Sequence, residues 1–218
     1  MIYLEEKFNI LPATPATLDK FIEIAEQKLV PICENLGARL IGAWYSNSEW
    51  MSQVLQVMEF DDFEALKRFR INSSQNSVWG EYMAYLEEFA PERKTRLLEP
   101  LGPIPPKRLQ RAIESSQKNP NKVYSIATLE VASDKMSEFK ELIFNSFGSG
   151  RNSPIIACWR PIGGSPNEVN DLWKTAIREE AYRPADKDFD ERFFRPLREF
   201  APKERIINLS ALPYSPLK

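Results

Sequence analysis

The stretch LEEFAPERKTRLLEPL, from Leu86 to Leu101, returns 111 residues later as LREFAPKERIINLSAL, from Leu197 to Leu212. Seven of the sixteen positions are identical, and in both copies Glu-Phe-Ala-Pro stands shortly before an apolar run. A match of this kind at a fixed offset is typical of an internal duplication. We predict a first repeat in residues 1–101, a proline-rich linker in 102–121 and a second repeat in 122–218.

Each repeat carries the pattern of four strands and two helical regions. In the first copy, Thr14 followed by proline predicts the start of a long amphipathic helix and Gly37 its end, while Pro31 is expected to kink it or end it early. In the second copy, the helix before the last strand is expected over 176–200, with a break at Pro184. The resulting order, βαββαβ, is typical of a ferredoxin-like sandwich, in which two helices cover one face of an antiparallel sheet.

The uncovered face of such a sheet also needs burial, and a duplicated chain offers a second uncovered face to meet it. We therefore predict an α+β fold in which two ferredoxin-like repeats pack sheet to sheet as a barrel-like pseudo-dimer.

Charge and hydropathy exclude several classes of partner. Lys and Arg number 29 against 31 Asp and Glu, a net charge of −2, and the two signs are interspersed. No broad basic surface is expected, which argues against nucleic acid and anionic membranes. No apolar run approaches the roughly 20 residues that span a bilayer, and the first residues do not resemble a secretion signal. We expect a cytoplasmic protein that binds neither nucleic acid nor membrane, with Cys33 and Cys158 as buried thiols.

The chain contains no histidine. A zinc, haem or non-haem iron site with a histidine ligand cannot form from this chain alone, and two cysteines cannot complete a four-thiolate zinc site. We therefore expect no cofactor. Acid–base chemistry would have to use Asp, Glu, Tyr, Lys or Cys, or groups of the substrate itself.

Four short stretches add to the repeat pattern: Ile2–Glu5 (IYLE), Gly42–Trp44 (GAW), Gln53–Asp62 (QVLQVMEFDD) and Asn167–Trp173 (NEVNDLW). Together with the aromatic second helix, they resemble the NIPSNAP family of the dimeric α/β barrel superfamily. The resemblance implies a barrel made of two such units that holds small apolar or aromatic ligands. It also implies activities as different as cofactor-independent oxygenation, isomerisation, dehydration and haem chemistry, so the fold alone does not decide the function.

The third strand of each repeat supplies the main candidate residues. Family members often place a histidine there, whereas this chain has Gln56 and Asp171, which counts against haem binding through that position. Strand alternation puts Gln56 on one face with Met58, and Asp171 with Trp173. If these faces look into the barrel, a desolvated Asp171 would act as a general base and Gln56 and Met58 would contact substrate. Alternatively, Asp171 pairs with Arg160 across the hairpin or lies in a wet barrel mouth.

Glu6 is the second candidate proton carrier, because its counterpart in the other copy is Ala127 and a single asymmetric site would suit one unsymmetrical molecule. Pairing with a neighbouring Lys or Arg is the structural alternative. Trp44, Trp159 and Trp173 are candidate walls for a planar ligand, although tryptophans at strand positions also serve as plain core.

Two other groups are interpreted structurally. The aromatic stripe within Trp79–Phe89 follows helical spacing and predicts core packing or an oligomer contact, which leaves a homo-oligomer open. The linker cations Lys107, Arg108 and Arg111 predict a solvated face.

Two functions remain open at this point. The first is a cofactor-independent enzyme of isomerase, cyclase, dehydratase or monooxygenase type that acts on a small apolar, aromatic or polyketide-like molecule inside the barrel. The second is a non-enzymatic protein that binds a small ligand or another protein. Divergence of the duplicated halves favours the first slightly, because it gives the interior two chemically different sides.

Overall fold

The computed structural model describes residues 1–121, 123–148, 153–175 and 186–218. Its strands are β1 (Ile2–Asn9), β2 (Arg39–Ser46), β3 (Gln53–Phe60), β4 (Glu92–Pro100), β5 (Val123–Glu130), β6 (Ile155–Pro161), β7 (Glu168–Lys174) and β8 (Lys203–Ala211). Its α-helices are α1 (Pro15–Ile24), α2 (Val30–Leu36), α3 (Phe63–Ser74), α4 (Ser77–Phe89), α5 (Lys107–Lys118), α6 (Met136–Ile143), α7 (Lys187–Phe189) and α8 (Arg195–Phe200). Turns of π-helix lie at Ala25–Leu29, Phe144–Gly148 and Asp190–Phe194. None of these helices combines the length and apolar character that crossing a membrane requires.

The strands pair antiparallel within each repeat. The first repeat contributes the order β4-β1-β3-β2 and the second contributes β8-β5-β7-β6. Each repeat therefore has the strand order of a ferredoxin-like sheet. The predicted α+β fold of two ferredoxin-like repeats is confirmed.

The chain divides into two compact units. Unit 1 consists of Met1–Leu98 and Leu209–Lys218, and unit 2 consists of Glu99–Asn208. Unit 1 therefore takes the C-terminal segment of the chain, including the end of β8. Helix α5, which lies in the linker, belongs to unit 2.

Short-range signals set the helix limits in unit 1. The Thr14 hydroxyl accepts a hydrogen bond from the Thr17 amide (3.2 Å), and Gly37 ends α2 in a left-handed conformation with φ of 78°. The helix does not end at Pro31, because the chain forms a π-helical turn at Ala25–Leu29 and continues as α2. A wider turn gives room to the proline ring and accommodates its missing N–H.

One face of the unit 1 sheet lies against the helices. Phe8 of β1 packs on Phe21 of α1 with 5.7 Å between ring centroids, and the Cys33 thiol of α2 lies 3.7 Å from the Met58 sulfur of β3. Since side chains two residues apart share a face, Gln56 also faces the helices. The expectation that this face looks into the barrel is wrong for unit 1. The sequence showed which residues share a face but not which face the helices cover.

The opposite face of the unit 1 sheet carries a partly buried ion pair and a buried tryptophan. The Glu5 carboxylate accepts two hydrogen bonds from the Arg96 guanidinium (2.6 and 3.0 Å). The Trp44 ring lies over Gly42, next to an irregularity in the pairing of β2 with β3. Gly42 therefore leaves the space that the indole ring fills.

Unit 2 repeats this plan with its own aromatic core. Phe147 and Phe193 meet edge to face (4.9 Å between centroids), and Trp173 packs on Phe147 (5.3 Å). Cys158 belongs to the same cluster of buried side chains. Asp171 pairs in register with Cys158 and lies two residues from Trp173, so it also faces this helix-covered core, and the expected barrel-facing orientation is wrong for unit 2 as well. Of the helix expected over 176–200, residues 176–185 lie outside the described residues, and the remainder is helical from Lys187 to Phe200.

Replacing Gly42 with alanine tests the packing around Trp44. The new Cβ would collide with the indole ring, so we expect Gly42→Ala to lower the free energy of unfolding by about 1–3 kcal/mol, as overpacking does elsewhere. Gly80→Ala is the matched control, because a Cβ there meets nothing within 4 Å and the residue lies inside α4. The control should gain about 0.5–1 kcal/mol from helix propensity. Urea unfolding of both variants measures the difference, and equal effects would contradict the packing described.

Candidate active site

A row of side chains crosses the helix-covered face of the unit 1 sheet. Glu6 of β1 stands in register with Thr95 of β4 and with Gln56 of β3, and Gln56 in turn stands opposite Ala43 of β2. Glu6 and Gln56 are both buried. Paired residues of an antiparallel sheet share a face and lie within side-chain contact. The row therefore places a carboxyl and a carboxamide together beneath the helices.

Two tyrosines surround the amide of Gln56. Its nitrogen donates to the Tyr214 hydroxyl at 2.6 Å. Tyr82, from α4, is buried, which raises the pKa of its hydroxyl well above the usual value, and the neighbouring Gln56 side chain opposes that rise as a hydrogen-bonding group. Within the described part of the chain, the Gln56 oxygen and the Tyr82 hydroxyl have no hydrogen-bond partner. Buried polar atoms usually have partners, so this neighbouring donor and acceptor are available either to each other or to a bound molecule.

The Glu6 carboxyl is an unusually strong base for a glutamate. Burial raises its pKa from 4.5 to about 6, against the opposing charges of Arg93 and Arg70. Glu6 forms no ion pair with any residue that the structure describes, whereas its neighbour Glu5 pairs with Arg96 on the other face. The structural alternative for Glu6, a salt bridge, is therefore wrong for these residues. The nearby Cys33 thiol stays protonated, because burial raises its pKa to about 12.

The C-terminal segment positions Tyr214. The Leu212 amide donates to the Ala43 carbonyl (2.9 Å), and the Leu217 amide donates to the Ile41 carbonyl (3.1 Å). Between these points the buried Ser215 hydroxyl accepts from the Ala43 amide (2.9 Å) and donates to the Leu217 carbonyl (2.7 Å). The segment is thus fastened along β2, and Tyr214 reaches the row from there. Burial raises the pKa of Tyr214 well above its usual value.

Unit 2 has the equivalent row with different chemistry. Asp171 of β7 stands in register with Ala127 of β5 and with Cys158 of β6. Burial raises the pKa of Asp171 from 3.8 to about 7, and the adjacent Cys158 thiol acts in the opposite direction. Burial and the charge of Asp171 also keep Cys158 protonated, with a pKa well above the usual value. One Asp171 oxygen has no partner among the described residues.

The structure divides the predicted site residues among three places. Glu6, Gln56 and Met58 lie together under the helices of unit 1. Asp171 and Trp173 lie under the helices of unit 2. Trp44 and Trp159 are buried on the opposite faces of their sheets, because each is next in sequence to a residue of its unit's row, so neither is a wall of the row. The expected contact of Asp171 with Arg160 is also wrong, since Arg160 donates to Glu99 (2.6 Å).

Sequence reasoning missed the two tyrosines. Tyr82 belongs to the aromatic stripe of α4, and the stripe packs as core: Trp79 contacts Phe69 and Tyr82 at 5.6 and 5.7 Å between centroids. Apolar spacing carries no information about where a hydroxyl group lies. Tyr214 comes after the last element of the second repeat, and at the same offset of 111 the first repeat has Pro103. The lack of a matching tyrosine in the first repeat is the sequence feature that sets Tyr214 apart.

Comparisons with known proteins support the fold. The NIPSNAP family model matches residues 8–102. A "putative monooxygenase" from Lactobacillus acidophilus superposes with a TM-score of 0.62 at 14% identity, over 96% of this chain and 93% of that one. A protein of the same description from Fusobacterium nucleatum gives 0.61 at 12% identity, over 97% and 92%. No curated protein matches the chain significantly in sequence.

An anthrone oxidase-like protein also superposes over the full length of this chain and 94% of its own, with a TM-score of 0.50 and 15% identity. These likenesses extend over both repeats, whereas the family match covers the first. The NIPSNAP match thus falls on the first repeat, and the solved structures, at low sequence identity, show that known proteins share the fold of both repeats.

Proposed function

We propose that the protein is an enzyme that works without metal or organic cofactor and removes a proton from carbon in a small apolar or aromatic molecule. Glu6 in unit 1 is the first candidate base and Asp171 in unit 2 is the second. One observation carries the proposal: a carboxyl with a pKa raised to about 6 by burial stands beside hydrogen-bonding atoms that have no partner in the described chain.

The environment of Glu6 suits general-base catalysis. A group with a pKa of about 6 is mostly ionised at neutral pH and is more basic than an ordinary glutamate. Efficiency in proton transfer is greatest when the pKa lies near the working pH, and a placed base contributes about 10²–10⁴ in rate. With no histidine in the chain, a buried carboxyl is the side chain best suited to this role.

The groups around Glu6 define the kind of ligand. The Tyr82 hydroxyl can donate to a ligand carbonyl, and the Gln56 oxygen can accept from a ligand hydroxyl. The surrounding side chains, such as Phe8 and Met58, are apolar and buried. A phenolic or enolic ketone satisfies both polar atoms and places its ring against the apolar surface. An acidic C–H next to the carbonyl would be the proton that Glu6 removes.

Oxygenation is the reaction type that the comparisons favour among those considered. Two structural neighbours carry a monooxygenase designation and a third is named anthrone oxidase-like. Anthrone has a methylene group whose conjugate base is stabilised by two aryl rings and a carbonyl. Such a carbanion reduces dioxygen directly, and the balance CH₂ + O₂ → C=O + H₂O needs no other oxidant. Removal of the first proton is the step that the protein would accelerate.

Asp171 is the second candidate because its carboxyl is also buried, has a pKa of about 7 and keeps one oxygen without a partner among the described residues. Its row offers a thiol and an alanine, where unit 1 offers an amide and two tyrosines. Unit 1 is therefore better equipped to orient a polar aromatic ligand. A protein that only binds would gain nothing from burying an unpaired carboxyl, and for this reason we favour the enzyme over the binding protein.

The first prediction concerns Glu6→Gln, which keeps the size of the side chain and removes the base. With anthrone as the probe, we expect the catalysed exchange of methylene protons in D₂O under nitrogen to fall at least about 100-fold. Dioxygen uptake with anthrone in air should fall by the same factor. In the unsubstituted protein, kcat/KM should rise with pH through about 6 and then level off, since the ionised form of Glu6 is the active one.

Glu87→Gln is the matched control, because Glu87 is exposed on α4 and should not affect either rate. If methylene proton exchange persists in Glu6→Gln but disappears in Asp171→Asn, the general base is Asp171 of unit 2 and not Glu6. Exchange without dioxygen uptake would refute oxygenation and leave proton abstraction intact. An unsubstituted protein that accelerates neither process would refute the proposed activity on this class of carbon acid.

Tyr82→Phe separates ligand binding from stability. Removing a buried hydroxyl that lacks a partner should leave the free energy of unfolding unchanged or raise it by about 1 kcal/mol. The same change should raise the KM for anthrone, because a donor to the ligand is lost. Tyr45→Phe is the control, since the Tyr45 hydroxyl donates to the Met51 carbonyl (3.1 Å) and its loss should destabilise slightly. A large loss of stability in Tyr82→Phe would show that its hydroxyl has a structural partner.

Asp171→Asn tests the buried carboxyl through pH. Because folding raises the pKa of Asp171 from 3.8 to about 7, the folded state holds the proton more tightly, and stability from this group is lost as pH rises through that window. We expect the variant and the unsubstituted protein to be similar near pH 4. The variant should become more stable by a few kcal/mol at pH 8, since one pKa unit is worth about 1.4 kcal/mol. Asp19→Asn, an exposed site on α1, should show no such divergence in urea unfolding.

A further inference from the structure

Helix α5, in the linker between the repeats, forms one wall of a cleft in unit 2. The cleft has a volume of about 880 Å³, within the range of small-molecule sites. The opposite wall comes from the residues before β6 and from the end of β7. This cleft is separate from the buried row of Asp171, which lies beneath the helices of the same unit and shares no residue with the cleft lining.

The lining of the cleft is strongly positive. Lys107, Arg108 and Arg111 line it from α5, and Lys174 lines it from β7, while none of the lining residues is Asp or Glu. Arg111 lies next to both other α5 cations on the helix surface, since it is four residues from Lys107 and three from Arg108. They were expected to form a solvated face. Lys107 and Arg111 are exposed as expected, and the surface that they border is concave.

Arg108 has a structural task that sets it apart from the other three cations. Its guanidinium donates to the carbonyls of Phe147 (2.6 Å), Gly148 (2.6 Å) and Ile155 (3.3 Å). These bonds hold α5 against the residues that follow α6 and those that begin β6. The other three cations, Lys107, Arg111 and Lys174, form no ion pair with the residues that the structure describes. Their charges are therefore available to an anion in the cleft.

Apolar residues complete the cleft. Pro105, Pro154 and Ile156 line it together with Tyr124, whose side chain is buried. Burial raises the pKa of Tyr124 to about 12, so its hydroxyl stays neutral and adds no negative charge. A ligand that carries an apolar group as well as an anionic one would contact both parts of this lining.

We propose that this cleft binds a small organic phosphate, with the phosphate between Lys107, Arg111 and Lys174 and its apolar part against Pro154 and Ile156. Phosphate is favoured over a single carboxylate because it brings two negative charges to one place, and the arginine fork matches its oxygens. The first turn of α5 lines the same cleft, and helix N-termini also favour anions. The proposal does not depend on the activity assigned to Glu6.

Calorimetric titration of the full chain with 1-naphthyl phosphate tests the proposal. We expect saturable binding with one molecule per chain, and Arg111→Gln or Lys174→Gln should each weaken it about tenfold, the order of one charge-assisted contact. Both side chains are exposed, so the variants should fold normally. Lys118→Gln is the matched control, because Lys118 is an exposed cation of the same helix outside the lining and should not change the affinity.

Two further ligands and the control variant distinguish a specific binding site from attraction of anions by overall surface charge. 1-Naphthol and inorganic phosphate should each bind more weakly than 1-naphthyl phosphate, because each has only one of the two parts. Equal weakening by Lys118→Gln would mean that overall surface charge attracts the ligand and would overturn the proposal. Equal affinity for inorganic phosphate would overturn the apolar contact. No saturable binding at millimolar 1-naphthyl phosphate would overturn the site itself.

Discussion

Alternation of side chains along β1 determines which face of the unit 1 sheet each of its two glutamates occupies. Glu5 and Glu6 are neighbours in sequence, yet they point to opposite faces of the sheet. On one face Glu5 forms an ion pair with Arg96 that contains two hydrogen bonds. On the helix-covered face Glu6 meets Gln56 among apolar side chains, and burial raises its pKa. The chemical difference between two adjacent glutamates therefore follows from the pleat.

Duplication explains why both units carry a buried acid and why the two acids differ. The row of unit 1 has its carboxyl on the first strand of the repeat, at Glu6, and an amide on the third. The row of unit 2 has alanine on the first strand and its carboxyl, Asp171, on the third. The carboxyl thus lies on the first strand of the repeat in unit 1 and on the third strand in unit 2, at equivalent positions across the two sheets. Two buried acids in one row would repel each other, so a single acid in each row is the arrangement that burial tolerates.

Local sequence patterns were enough to predict most of the fold. The repeated Glu-Phe-Ala-Pro motif, the Thr14 cap and the Gly37 stop each depend on a few neighbouring residues, and the structure contains all three features. The period of two also grouped Gln56 with Met58 correctly. It could not identify the covered face, because both faces of each sheet are apolar enough to be buried. That choice depends on helix packing between residues far apart in sequence, such as Phe8 with Phe21 and Cys33 with Met58.

The site in unit 1 depends on the end of the chain as well as on its beginning. Tyr214 is 158 residues from Gln56 in sequence, and it reaches the amide because Leu212, Ser215 and Leu217 fasten the segment along β2. The first repeat alone contains Glu6 and Gln56 but no residue equivalent to Tyr214, so its row would keep an additional polar atom without a partner. Joining the second repeat thus adds a hydrogen bond to a row whose strands all come from the first. A tandem chain can place such a residue once, whereas two identical chains would have to place it twice.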